Sequence, residues 1–157
     1  MSLPDRRPVA ELRPEYRRPV SVLVLVYTAG GDILLLHRTR PFDFWQSVTG
    51  SLQRDETHAV AASRELAEET GLAGHGELSF SGNSRLFTID PRWRHRYAPG
   101  VTENVEFEWQ CRLPQRIDIR LNAAEHSEYQ WMPLDRAIEA VWSWTNREAL
   151  VNLRDRL

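Results

Sequence analysis

The segment GSLQRDETHAVAASRELAEETGL, residues 50–72, constrains the fold most, because three carboxylates crowd its second half. A helix turns by about 100° per residue, so Glu65 and Glu69 lie one turn apart on the same side, with Glu68 beside them. Like charges at this spacing destabilise a helix. Any fold that contains this helix therefore has to place positive charge next to it.

The same segment predicts how the helix packs. The helix spans Thr57–Thr70 and is stopped by Gly71, and Arg64 lies near enough to orient Glu56. Clustered carboxylates suit a hard divalent cation such as Mg²⁺, which takes oxygen ligands and is usually shared with a substrate phosphate. An ordinary solvated face is the alternative, since Glu is common on helices. The stripe suited to packing on a sheet consists of Ala59, Ala62, Leu66 and Thr70.

The spacing of the whole segment resembles a known motif. Five residues separate Gly50 from Glu56, seven more follow, and residues 64–72 then read RELAEETGL. This is the pattern of the Nudix box, G-x5-E-x7-R-E-U-x-E-E-x-G-U with U aliphatic, and every specified position is filled. The resemblance to the Nudix family implies an α/β fold, an α/β/α sandwich with a mixed β-sheet, in which the box forms the catalytic loop–helix–loop. It also implies hydrolysis of a nucleoside diphosphate linked to another group.

The resemblance implies a metal-dependent mechanism. Glu65 and Glu69 would bind Mg²⁺ directly, with Mn²⁺ as a substitute, and Glu68 is a further ligand candidate. The cation would draw charge from the phosphoryl oxygens and activate a water, and a carboxylate would take the proton of that water. The other box positions with implied roles are Glu56, Arg64 and the carbonyl group of Gly50.

Stretches outside the box resemble one Nudix subfamily, the bacterial dihydroneopterin triphosphate diphosphatases of folate synthesis. They are RRPVSVLVLVY (17–27), FWQSVTGS (44–51), RHRYAPGVTENVE (94–106), AAEHSEYQW (123–131) and WSWTNREAL (142–150). The resemblance implies cleavage of dihydroneopterin triphosphate to the monophosphate and pyrophosphate. The chain departs from the subfamily in its longer arm before Arg17 and at Thr70-Gly71.

The subfamily resemblance also implies site residues outside the box. Glu125 would be a third metal ligand or the base, the alternative being a surface carboxylate on a loop. His126 is a weaker base candidate, which we expect to be exposed to solvent. Arg17 and Arg38 would face the phosphates. The remaining residues expected near the substrate are Thr49, Phe87, Thr88, Ile89, Asp90 and Ser143.

A pteridine is flat and aromatic, so it needs a stacking wall and a few hydrogen-bonding groups. Six aromatic residues are candidates for this wall, although most tryptophans are expected in the core. The edge of a pterin resembles that of guanine, so nucleotides such as dATP stay open as side substrates. The candidates are Trp45, Phe87, Trp93, Tyr97, Trp142 and Trp144.

Three rival functions are compatible with a Nudix-like chain. A housecleaning (d)NTP pyrophosphatase, such as a dATP pyrophosphohydrolase, would use the same box. A non-catalytic domain that senses a nucleotide would carry substitutions in the box, and none is present. RNA binding or decapping is disfavoured by a net charge of −2 and by scattered arginines.

Composition narrows the setting. All 20 basic residues are arginine, for which a G- and C-rich genome is the plain explanation and phosphate binding the sharper one. Cys111 is the only cysteine, so neither an internal disulfide nor a thiolate metal cluster can form. The N-terminus lacks the apolar core of a signal peptide, and VSVLVLVY is too short to span a bilayer. We therefore expect a cytoplasmic protein with a small-molecule triphosphate substrate and neither a nucleic-acid nor a membrane partner; its oligomeric state stays open.

The periodicity of apolar residues predicts the order of the elements. Val101–Cys111 alternates as a strand with one wet face, formed by its polar residues. Residues 1–16 are expected to form a loose arm before a single domain, 17–157. The other predicted strands are Pro19–Thr28 and 33–38 as a hairpin, Trp45–Ser51, Ser84–Asp90 and Glu128–Met132; Leu134–Val141 and Asn146–Arg154 are predicted helices, and Pro91–Gly100 a loop.

Overall fold

A computed structural model describes residues 16–157, so the predicted arm lies outside the described residues except for Tyr16. The apolar runs on either side of the Gly-Gly turn form strands β1 (Val20–Thr28) and β2 (Asp32–Arg38). They pair antiparallel, which confirms the predicted hairpin. Gly31 has φ of 89° in this turn, a conformation that glycine adopts at little cost.

The remaining strands complete a seven-stranded sheet, which is mixed as predicted. Its order is β3-β2-β1-β6-β5, with β4 paired to β1 and β7 paired to β2. Strand β6 runs parallel to β1, whereas the other pairs are antiparallel. The strand bounds are β3 Phe44–Gln46, β4 Val48–Ser51, β5 Glu77–Thr88, β6 Glu103–Leu113 and β7 Glu128–Pro133.

Helices cover both faces of this sheet. Side chains of β1 alternate between two apolar clusters, one under α1 (His58–Thr70) and one under α2 (Leu134–Ala140) and α3 (Trp144–Arg156). A central strand with two buried faces reads as a continuous apolar run, as VSVLVLVY does. The predicted α/β/α sandwich is therefore confirmed.

The caps of α1 follow from its sequence. The Thr57 hydroxyl accepts a hydrogen bond from the Val60 N–H at the first turn. Gly71 ends the helix in the left-handed conformation, with φ of 74°. Ala61 is buried in place of the predicted Ala59, which is exposed.

The prediction of a wet face on β6 was wrong. Its polar side chains are buried under α3, because β5 and α3 bring charged partners to them. Arg85 of β5 donates from Nη1 to Oε1 of Glu108 at 2.8 Å and from Nε to Glu148 of α3 at 3.1 Å. The buried polar residues of β6 are Asn104, Glu106, Glu108 and Gln110.

Other boundaries also differ from the prediction. Strand β5 begins at Glu77, inside the Gly/Ser-rich stretch, and the predicted loop contains a 3₁₀ helix, Pro91–Arg96. The predicted strand Trp45–Ser51 is divided at Ser47 between β3 and β4. Helix α3 begins two residues early because Ser143 caps it. No helix within residues 16–157 is long and apolar enough to cross a membrane.

Two glycines before β5 provide a test of packing. Gly76 and Gly74 both have φ near 75°, but only at Gly76 would a Cβ atom meet neighbours, at 2.8 Å from the Arg112 carbonyl oxygen and 2.8 Å from Leu113 Cδ2. We expect Gly74→Ala to lower the free energy of unfolding by roughly 1–2 kcal/mol through backbone strain alone. Gly76→Ala should lower it by about 1–3 kcal/mol more through overpacking.

Chemical denaturation of both variants measures this difference. Equal losses at the two positions would contradict the tight packing of Gly76 against β6.

Candidate active site

A cleft of about 960 Å³ opens between the Nudix-like box, the end of β5 and the start of α3. Every residue predicted to contact the substrate lines it. The box contributes Gly50, Arg64 and Glu65 to the same cleft. The predicted contact residues along its wall are Arg17, Arg38, Thr49, Phe87, Thr88, Ile89, Asp90, Glu125 and Ser143.

Arg64 is the counter-charge that the crowded helix requires. Its guanidinium donates twice to Glu56, at 2.7 and 2.8 Å, and once to Glu65 at 2.7 Å. A longer bond of 3.2 Å reaches Glu68. The bidentate pair lowers the pKa of Glu56 and raises that of Arg64. One arginine thus joins three carboxylates of the box.

Glu56 and Gly50 fix the loop before the helix. Glu56 Oε1 also accepts a hydrogen bond from the Gln53 N–H at 2.8 Å, so the predicted pair with Arg64 also holds the backbone of the loop. A Cβ atom on Gly50 would overlap the carboxylate of Glu65. The motif therefore needs glycine here because the Glu65 carboxylate lies against the backbone of β4.

A second acidic group forms where α1 meets the loop before β7. Glu69, Glu125 and His126 bring ligand atoms within 4.8 Å of one another. Burial, followed by the hydrogen bond to Glu125, raises the pKa of Glu69. The same hydrogen bond lowers the pKa of Glu125. Their shared hydrogen bond thus moves the pKa values of the two carboxyl groups in opposite directions.

His126 is buried, at 3% exposure, so the expectation of a solvent-exposed histidine was wrong. Its Nδ1 lies 2.7 Å from Glu69 Oε2, but neither atom has an aligned hydrogen-bond partner among residues 16–157. Burial and then the charge of Arg38 lower the pKa of His126 to about 4. Unpartnered buried acceptors beside a neutral imidazole suit a divalent cation. The other predicted ligands, Glu65 and Glu68, are instead bonded to Arg64.

Three guanidinium groups, those of Arg17, Arg38 and Arg96, line the cleft together with Glu125. Arg38 is half-buried and its Nε has no hydrogen-bond partner among the described residues. Burial, and then the charges of Arg17 and Arg38, lower the pKa of Arg96. Mutual repulsion of this kind is relieved by an anion, and guanidinium groups bind phosphate oxygens in pairs.

Aromatic side chains form the outer wall of the cleft. Trp93 and Trp142 lie 5.4 Å apart between ring centres, with Phe44 at 5.7 and 5.6 Å from them. Phe42 joins this group, and Arg92 stacks on it at 3.8 Å. Three further wall candidates, Phe87, Tyr97 and Trp144, also line the cleft.

Trp45 does not belong to this wall. It packs beside His37, with 4.8 Å between ring centres, and against the apolar cluster under α2 and α3. The side chains of β3 that line the cleft are instead Phe44 and Gln46, and Gln46 also contacts His126 Nε2 at 3.1 Å.

Three predicted contact residues also have structural partners. Asp90 caps the 3₁₀ helix and binds Arg92, and these hydrogen bonds lower the pKa of Asp90 to about 2. The Thr49 hydroxyl donates to the Val22 carbonyl at 2.9 Å. Ser143 caps α3. Their side chains therefore hold the walls of the cleft in place.

Sequence reasoning missed several residues of the cleft. Phe44 and Gln46 lie in the stretch FWQSVTG and carried no separate signal. Arg96 lies in the RHRYAPG loop, which carries the subfamily resemblance, but no role was predicted for its side chain. The alternation of β6 could have identified Asn104 and Glu106, had its polar face been read as a buried one.

Comparisons with known proteins agree with this geometry. The model of the NUDIX domain matches residues 17–153. Dihydroneopterin triphosphate diphosphatase of Escherichia coli (strain K12) is 42% identical over 140 residues, covering 86% of this chain and 91% of that protein. The protein of the same name from Haemophilus influenzae is 37% identical over 153 residues, covering 92% and 96%.

A solved structure gives the same result. That of the E. coli dihydroneopterin triphosphate pyrophosphohydrolase superposes with a TM-score of 0.83 at 38% identity, covering 90% of this chain and 99% of the other. Sequence, fold and the filled box thus agree, and the chain belongs to the NUDIX family of hydrolases.

Proposed function

We propose that this Nudix hydrolase cleaves dihydroneopterin triphosphate to dihydroneopterin monophosphate and pyrophosphate, as a cytoplasmic step of folate synthesis. The observation that carries the proposal is that Glu125 lines one cleft with three arginines and an aromatic wall, while its ligand atom lies within 4.8 Å of those of Glu69 and His126. Relatives at 37–42% identity, which carry the name of this activity, support it. Residues 17–157 would act as a single domain.

We assign Mg²⁺, or Mn²⁺ in its place, to the carboxylates of Glu69 and Glu125, with Glu65, Glu68 and the Gly50 carbonyl adjacent. Mg²⁺ prefers oxygen ligands, so His126, whose Nδ1 lies 2.7 Å from Glu69 Oε2, is not assigned as a ligand. When bound, the cation would withdraw charge from the phosphoryl oxygens and lower the pKa of a water.

The chain's own residues supply the rest of the chemistry. Arg17, Arg38 and Arg96 would hold the non-reacting phosphates through charge-assisted hydrogen bonds. Glu125, which lines the cleft, would accept the proton of the attacking water at a carboxylate oxygen. The aromatic wall would stack on the flat ring and keep bulk water from it.

A housecleaning pyrophosphatase acting on dNTPs is the second candidate. In its favour, the cleft is lined by the box, the arginines and an aromatic wall, and these would contact only groups that a pterin triphosphate and a dNTP share. Substrate rates therefore have to distinguish the two.

A substrate panel tests the proposal directly. Purified protein with Mg²⁺ should release pyrophosphate from dihydroneopterin triphosphate with a higher kcat/KM than from any dNTP, and excess chelator should abolish turnover. A higher kcat/KM for a common dNTP would favour housecleaning. Full turnover in chelator would contradict a metal mechanism, and nucleotide binding without any turnover would favour a sensing domain.

Glu69→Gln tests the acidic group. The change keeps the volume but removes a ligand charge, so kcat should fall on the order of a hundredfold or more. The melting temperature should not fall, because burial already disfavours the ionised form of Glu69.

Glu139→Gln, at an exposed position of α2, is the matched control and should leave kcat unchanged. Near-normal kcat in Glu69→Gln would mean that Glu69 is not a ligand.

Arg38→Ala tests phosphate binding. A charge-assisted hydrogen bond contributes roughly 1.5–3 kcal/mol, so KM for triphosphates should rise on the order of tenfold or more. The melting temperature should change little, since Nε of Arg38 has no hydrogen-bond partner among residues 16–157.

Arg136→Ala, at an exposed position on α2, controls for the loss of a positive charge. An unchanged KM together with a large drop in melting temperature would make Arg38 a structural residue.

A further inference from the structure

The floor of the cleft carries two buried polar side chains that the mechanism does not use. Asn104 and Glu106 lie two residues apart on β6, so they face the same side of the sheet. They are 1% and 5% exposed, and both line the cleft. Phe87 of β5 is paired directly with Asn104 across the strands and lines the same cleft.

Each of these side chains makes one hydrogen bond within the protein and has one oxygen atom without a hydrogen-bond donor. Asn104 donates from Nδ2 to Ser21 Oγ at 2.8 Å, whereas its Oδ1 has no hydrogen-bond partner within residues 16–157. Thr145 bonds to the Glu106 carboxylate, whose Oε1 has no such partner either. Burial raises the pKa of Glu106 to about 7, and the Thr145 hydrogen bond opposes that rise.

The unused acceptors are confined to the end of β6 that faces the cleft. Farther along the same polar face, Glu108 Oε1 accepts from Arg85 at 2.8 Å and its Oε2 lies 3.4 Å from Gln110 Nε2. A buried acceptor without a donor costs free energy, and a ligand that donates to it recovers that free energy. The floor is therefore suited to a ligand that presents hydrogen-bond donors along one edge.

We propose that Asn104 and Glu106 recognise the ring of the substrate by accepting hydrogen bonds from the ring N–H and exocyclic amine of a 2-amino-4-oxo edge, an inference that rests on the proposed function. Pterin and guanine share this edge. Adenine presents a bare ring nitrogen where they present an N–H, so it leaves an acceptor unpaired. Stacking on Phe87 serves all three rings equally, so the floor provides the selectivity.

Glu106→Gln tests this assignment sharply. The amide oxygen keeps the bond from Thr145, so the amide nitrogen takes the place of Oε1 and turns an acceptor into a donor. The kcat/KM for dihydroneopterin triphosphate and dGTP should fall on the order of tenfold, while that for dATP should hold or rise. The wild type should prefer dGTP to dITP, which lacks the amine, and to dATP.

Two controls separate ring recognition from other effects. Inorganic tripolyphosphate has no ring, so Glu106→Gln should hydrolyse it at the wild-type rate and melt at the wild-type temperature or above. Glu103→Gln makes the same change at an exposed position of the same strand and should keep the wild-type ratios.

An unchanged ratio of dGTP to dATP in Glu106→Gln would overturn the proposal, as would a wild type that prefers dATP. A parallel loss on every substrate, tripolyphosphate included, would also overturn it by placing Glu106 in the support of the phosphate end. The proposed function fails separately, if kcat/KM is lower for the pterin triphosphate than for a dNTP. In that case the ratio of kcat/KM for dGTP to that for dATP still tests the role of Asn104 and Glu106. If the protein turns over nothing, calorimetric binding of dGTP against dATP to wild type and variant decides it.

Discussion

The site depends on the ion pairs that the Arg64 guanidinium makes with the carboxylates of the box. The guanidinium bonds to Glu56, Glu65 and Glu68, and so it offsets the repulsion that the sequence builds into α1. Because Glu56 also holds the backbone of the loop, the same contact joins the loop to the helix. Removing Arg64 would leave several half-buried carboxylates without compensation, which costs more than the loss of an exposed ion pair.

The glutamates of α1 have different partners, although their side chains are chemically the same. Glu65 is bonded to Arg64, whereas Glu69 faces Glu125 and His126 and keeps an unpaired oxygen. Only the residues beyond the box, brought by the loop before β7, complete the acidic group. Strand β6 pairs parallel with β1, and residues of both strands line the cleft that extends from Glu125 to the start of α3.

The sequence predicted the parts of the molecule that short-range rules determine. Helix α1, its end at Gly71 and the β1–β2 hairpin follow from local spacing, and the filled box indicated the fold. The burial of His126 and of the polar face of β6 depended on contacts between distant segments. The alternation of β6 has the same period whether its polar residues meet water or Arg85, so periodicity alone does not distinguish these cases. Arg96 was missed for a related reason, because loop side chains take their direction from tertiary contacts.

Strand β6 has a consequence for how such an enzyme can change during evolution. One end of its polar face is fixed by Arg85 and α3, and the other end borders the cleft with acceptors that the fold does not use. Substitutions at the cleft end alter what the floor accepts without breaking the ion pairs that hold the strand. The box and the arginines, to which we assign the metal and the phosphates, need not change with them. New specificity can therefore arise in this scaffold through very few replacements, at little risk to folding.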